Sequence, residues 1–147
     1  MNAKKLWPVL GLLAPSFLSF TPSLSPALGA PAAVEAQSDA VLGKAFRDRT
    51  SNIQVEGRGE VTRLLPDDQE GSRHQRFLLR LRSGQTLLIA HNVDLAPRVA
   101  PLKERDVVSF FGEYEWNEKG GVIHWTHRDP AGRHVAGWLK HKDRIYQ

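Results

Sequence analysis

The sequence predicts a mainly β protein whose principal unit is a small five-stranded barrel. Three observations carry this. From residue 53 onward apolar residues recur every second position rather than every three or four. The first alternating stretch, IQVEGRGEVTRLL, holds Gly57 and Gly59 on its apolar side, as a strongly coiled or bulged strand at a barrel corner does. Five such stretches are joined by short polar turns, with one longer proline-containing loop.

The chain does not open as a folded domain. Lys4 and Lys5 precede an apolar run from Leu6 to about Phe20, and small residues and prolines follow. That order is that of a secretory signal peptide. Pro8 and Pro15 interrupt the run, which falls short of the ~20 residues of a membrane span. Cleavage is expected after Ala36, leaving residues 37–147, or alternatively after Gly29. The product is expected in the periplasm or the medium. Residues 30–39 are rich in Ala, Pro and Ser and are expected to be disordered or removed. Residues 37–52 form a short helix and linker, with Val41, Leu42, Ala45 and Phe46 on one face and Asp39 as its cap.

Residues 53–147 form the barrel domain. In its first strand Val55, Gly57, Gly59, Val61 and Leu65 point one way, opposite Glu56, Arg58, Glu60 and Thr62. RHQRFLLRLR sets Phe77, Leu79 and Leu81 against His74, Arg76, Arg80 and Arg82, and Ser83-Gly84 signals a two-residue hairpin turn. QTLLIAHNV returns, DLAPRVAPLKERD is loop, and VVSFFGEYEW is a fourth strand with Val108, Phe110, Tyr114 and Trp116 on one face. NEKGG turns into a fifth strand, VIHWTH, and HVAGWLKHKDRIYQ supplies a terminal hairpin or strand extension. This pattern fits a Greek-key barrel of the oligonucleotide/oligosaccharide-binding (OB) type. Another small barrel or a sandwich fits the same pattern. The helix that often joins the third and fourth strands of OB barrels is not evident.

The chain has no Cys, so disulfides and thiolate metal sites are excluded. Its formal net charge of +4 is small for a protein held to polyanions by charge alone.

GSRHQRF, SGQTLLIAHN, DLAPR, GEYEWN, GGVIHWTH and DPAGRHVAGW together resemble a family of small exported bacterial proteins known as domain of unknown function 3465. The resemblance covers roughly residues 41–147. It implies one domain and export, and it supplies neither an activity nor a ligand.

Two constellations are candidates for chemistry. HWTHRDPAGRH packs His124, His127 and His134 into eleven residues around Trp125 and Asp129. Three imidazoles, or two with Asp129, suit a divalent transition metal such as zinc with an open position for water. In a hydrolase of this kind His127 and Asp129 are the catalytic candidates, or Asp129 orients a ligating ring. Residues three apart on a strand face opposite sides, so His124 and His127 converge only where the strand bends or ends. The alternative is hydrogen-bonded structural histidines. The second constellation is the row His74, Arg76, Arg80, Arg82, at roughly 6–7 Å spacing, suited to repeated anions, with Trp125, Tyr114 or Trp138 as stacking platforms. The alternative is a solvated face balanced by Glu56, Glu60 and Glu113. His91 reads as a capping histidine bonded to a loop carbonyl, unless the fold brings it or His74 to His124. Asp67, Asp68 and Glu70 read as a solvated turn rather than a calcium loop. No Gly-x-Ser-x-Gly elbow occurs. The functional expectation is an exported, monomeric binding module for an anionic polymer such as nucleic acid, or for an oligosaccharide. A metal-dependent hydrolase at the histidines is one alternative, and a structural or partner-binding envelope protein is another.

Overall fold

Sixteen residues without a break, Ile53–Asp68, form strand β1, and this strand closes the sheet on itself. Its first half pairs antiparallel with β4 (Val107–Glu115), from Ile53 opposite Tyr114 to Glu60 opposite Val107. Its second half pairs with β2 (His74–Arg80), from Glu60 opposite Arg80 to Asp68 opposite His74. A strand can serve two neighbours only by coiling sharply, and the sequence provides for that. A Cβ on Gly57 would lie 2.4 Å from the Phe110 ring, which fills the space a side chain would take. The register also slips between Val61 and Arg63, a bulge that adds twist.

The structure is a computed structural model and describes residues 30–147. The expected signal peptide, as far as residue 29, lies outside the described residues. β3 (Thr86–Asn92) pairs antiparallel with β2 and parallel with β5 (Val122–His124), which pairs antiparallel with β4. The ring therefore runs β1-β2-β3-β5-β4 and back to β1, the Greek-key order of an OB-like barrel. β6 (Trp138–His141) adds to β4, and β7 (Arg144–Tyr146) folds back on β6 as the expected terminal hairpin. Among the described residues no helix is long and apolar enough to cross a membrane.

The core follows the period-two pattern. Phe77, Leu79, Leu87, Ile89, Val108, Phe110, Tyr114, Ile123 and Leu139 have no exposed surface. Each large apolar side chain so placed contributes roughly 1.5–3 kcal/mol. The loop between β3 and β4 holds no helix, as expected. The buried side chain of Gln75 anchors it instead, donating to the Val99 carbonyl at 3.0 Å and accepting from the Val99 amide at 2.9 Å. The hairpin after β2 has three residues rather than two. Leu81 N donates to Gln85 O, and Gly84 takes the positive φ that closes such a turn.

The N-terminal region departs most from expectation. Helix α1 spans Ala30–Asp48, through residues expected to be disordered or removed. Asp39 lies within it and is not its cap; its carboxylate accepts from the Ser83 amide at 2.8 Å. Leu42 and Ala45 enter the core, whereas Val41 is 42% exposed. The Trp116 indole fixes the far end by donating to the Phe46 carbonyl at 3.1 Å.

Candidate metal centre

The outer face of β4 carries Glu113 and Glu115, because Gly112 and Tyr114 point inward. β5 pairs beside it with Glu113 opposite His124 and Glu115 opposite Val122. Ile123 is buried, so His124 stands on the same outer face as the two carboxylates. Its Nε2 lies 3.5 Å from Glu113 Oε1 and 3.7 Å from Glu115 Oε1. Both are too long for hydrogen bonds. That nitrogen is buried and has no hydrogen-bond partner. The three donor atoms lie within 4.8 Å of one another, and this is the group of metal-capable side chains found among the described residues.

Burial pushes the His124 pKa down, against the opposing pull of Glu113 and Glu115. The ring is therefore neutral at pH 7, the state in which imidazole can ligate.

β5 ends immediately after His124, where Trp125 adopts φ +52°. This is the break that the spacing of His124 and His127 requires. The chain then reverses between Asp129 and Gly132, and Gly137 comes back against the start of the loop, where a Cβ would lie 1.9 Å from the Trp125 carbonyl oxygen. Asp129 organises the turn. Its carboxylate accepts from the amides of Ala131 at 2.9 Å, Arg133 at 2.8 Å and His134 at 3.1 Å, and these bonds hold its pKa below the usual range.

The turn returns His134 to the site. Its ring stacks on Trp125 at 4.0 Å and 8°. Nδ1 donates to the Val135 carbonyl at 2.9 Å, and Nε2 lies 2.8 Å from Glu113 Oε2. Both nitrogens face atoms that only accept, so both carry protons. Burial works against that charge, but the Glu113 hydrogen bond, the Val135 carbonyl and the carboxylates of Glu113 and Asp129 outweigh it and raise the pKa. Glu113 thus offers one oxygen to His134 and the other to the space before His124.

His127 takes the opposite direction. It is 4% exposed and donates from Nδ1 to the Arg128 carbonyl at 2.8 Å. Beside it, buried His91 donates from Nε2 to the Pro97 carbonyl at 3.1 Å and accepts the Thr126 hydroxyl at 2.8 Å on Nδ1. The loop-carbonyl bond expected for His91 is present. Of the three clustered histidines, His124 and His134 meet at Glu113, while His127 packs inward. Asp129 acts through the backbone of the turn. Glu113 and Glu115 were missed as site residues. Their spacing in GEYEW shows a shared face, but only the β4–β5 register puts that face against His124.

The cationic row of β2 is dispersed. Arg76 donates to the Pro66 carbonyl at 3.0 Å, Arg80 pairs with Glu60 at 3.0 Å, and Arg82 lies 3.7 Å from Glu35. His74 begins the strand opposite Asn92. Trp125 has the three histidines, not these arginines, as its ring neighbours. In the acidic loop Asp67 pairs with Arg98, and Asp68 accepts from the Glu70 amide at 3.1 Å, a self-satisfied turn as expected.

Fold and cluster together define a small OB-like β-barrel domain with a histidine–carboxylate group on its outer wall. The chain belongs to the family described as Protein of unknown function (DUF3465), which matches residues 27–147, beginning upstream of the strings that first suggested it. Comparison with curated proteins finds no match.

Proposed function

We propose that the protein is an exported, monomeric β-barrel module that binds a divalent transition metal through Glu113, Glu115 and His124. The observation that carries this reading is the buried, unpartnered Nε2 of His124, facing two carboxylates. A tetrahedral ion with bonds of ~2.0–2.1 Å sets its ligands roughly 3.3 Å apart. The 3.5 and 3.7 Å separations are within a few tenths of that edge. One nitrogen and two carboxylate oxygens favour zinc or a similar borderline ion over the all-oxygen shells of calcium and magnesium. His134 supports the site from behind by orienting Glu113 through its second oxygen, as outer partners of metal ligands do. Three protein ligands leave a fourth position for water or substrate, so a metal-dependent hydrolase is the catalytic form of the same reading. Export rests on the charged, apolar and small-residue order of the N-terminus.

The test is zinc titration by calorimetry on untagged, chelator-stripped protein, beside His124→Ala and Glu115→Gln. One ion per chain is expected, with binding at least about tenfold weaker in each variant while far-ultraviolet circular dichroism is unchanged. Absence of binding by the wild type, or equal binding by His124→Ala, overturns the reading and makes the histidines structural. Cell fractionation tests export, and sedimentation tests the monomer.

A further inference from the structure

A second, unrelated feature lies across β2, β1, β4 and β6. Arg58 stands opposite Ser109, and Ser109 opposite Lys140, so one cross-sheet row sets two cations either side of a small hydroxyl. Adjacent strands are about 4.8 Å apart, which puts the two cations within reach of neighbouring groups on one polymer. Two hollows of about 460 and 320 Å³ adjoin at Arg58 and Val107. Arg80 and Arg82 line the first, and Lys140 and Lys142 the second.

A carboxylate of the chain's own already sits in this trough. Glu35, on α1, lies 3.3 Å from Arg58 and 3.7 Å from Arg82. Its side chain is 19% exposed, against 51% and 70% for the two arginines. Ion pairs with such exposed partners contribute little to stability. Glu35 therefore marks where an anion is seated rather than what holds the fold.

We propose that this trough binds an acidic polysaccharide, with a uronate carboxylate in the seat of Glu35, and that Glu35 masks the seat until it is removed. Arginine forks suit planar carboxylates. No Phe, Tyr or Trp lines either hollow, so the stacking platforms of single-stranded nucleic-acid sites are missing there. Glu60 and Asp106 on the walls can accept hydrogen bonds from sugar hydroxyls, of which a DNA backbone offers none. The two expected processing points differ in consequence. A cut after Ala36 discards Glu35 and frees Arg58 and Arg82; a cut after Gly29 retains the mask.

The experiment measures binding of hexagalacturonate to the full chain at low salt, for wild type, Glu35→Gln, and Glu35→Gln combined with Arg58→Gln. Glu35→Gln is expected to bind about tenfold tighter than wild type, and the added Arg58→Gln to cancel the gain. Equal melting temperatures show that the variants fold alike. No gain in Glu35→Gln, or a gain that survives Arg58→Gln, overturns the proposal. Equally tight binding of a twelve-residue oligothymidylate overturns the choice of polysaccharide in favour of nucleic acid. Intact mass of the exported chain reads the mask directly: a start at Gln37 supports unmasking, and a start at Ala30 overturns it.

Discussion

Acidification should destabilise this barrel, and buried His91 should carry a separable share of the loss. The ring has no exposed surface, and burial holds its pKa at about 4, helped by the nearby rings of His127 and His74 and opposed by the Pro97 carbonyl. In the unfolded chain the same ring titrates near its ordinary value of 6.5. The unfolded state therefore takes up a proton first as the pH falls. Stability is complete above pH 6.5, declines through the interval down to about 4, and then levels as the folded ring also protonates. The gap corresponds to about 3 kcal/mol, a large share of the roughly 5–15 kcal/mol that holds a domain of this size. The assay is urea unfolding followed by tryptophan fluorescence at several pH values between 7.5 and 4.5. Wild type is compared with His91→Gln, which keeps a donor and an acceptor but does not titrate. The variant should be less stable at pH 7.5, by about 1–2 kcal/mol for the imperfectly replaced hydrogen bonds. Its disadvantage should shrink, and then reverse, as the pH falls. Other histidines and carboxylates titrate in the same range, so the difference between the two proteins is the decisive quantity. Parallel stability curves would refute the assignment.

Gly137→Ala forces a Cβ against the Trp125 carbonyl oxygen, where only backbone can yield, so a loss of at least about 2 kcal/mol is expected in the same unfolding assay, with the turn carrying His134 displaced. Leu42→Ala empties a fully buried position beneath α1 and should cost about 2–5 kcal/mol; a cost below 1 kcal/mol would mean that the helix does not dock as described.

The strands were legible because each presents a simple alternation that burial reproduces. His74–Arg80 reads buried at Gln75, Phe77 and Leu79, and Val107–Glu115 at Val108, Phe110, Gly112 and Tyr114. The extent of α1 was not, because composition suggested a linker. Its docking depends on distant partners: the Ser83 amide for Asp39, and the Trp116 indole for the Phe46 carbonyl. The fifth strand was expected to run through His127, but it stops at His124, where a tryptophan takes a backbone conformation that no residue pattern announces. The density of histidines pointed to the stretch where His124 and His134 both approach Glu113. The carboxylate half of the cluster lay on another strand, and periodicity gives faces without giving register. The arginine row is a strand face only as far as Arg80, for Arg82 lies in the hairpin turn, and long side chains on one face reach for different partners.

The double pairing of β1 also has a consequence in time. Ile53 meets Tyr114 across most of the domain's sequence, so the ring cannot shut until the fourth strand exists. Contacts of such range form late, because loop-closure entropy must be overcome before they return anything. The candidate site sits on that closing strand and on β5 after it, with Glu113 facing His124. In synthesis from the N-terminus β1, β2 and β3 therefore precede both strands that carry the cluster. The cluster itself spans one local antiparallel pairing, so a metal bound there would clamp β4 to β5 without waiting for β1 to close the ring.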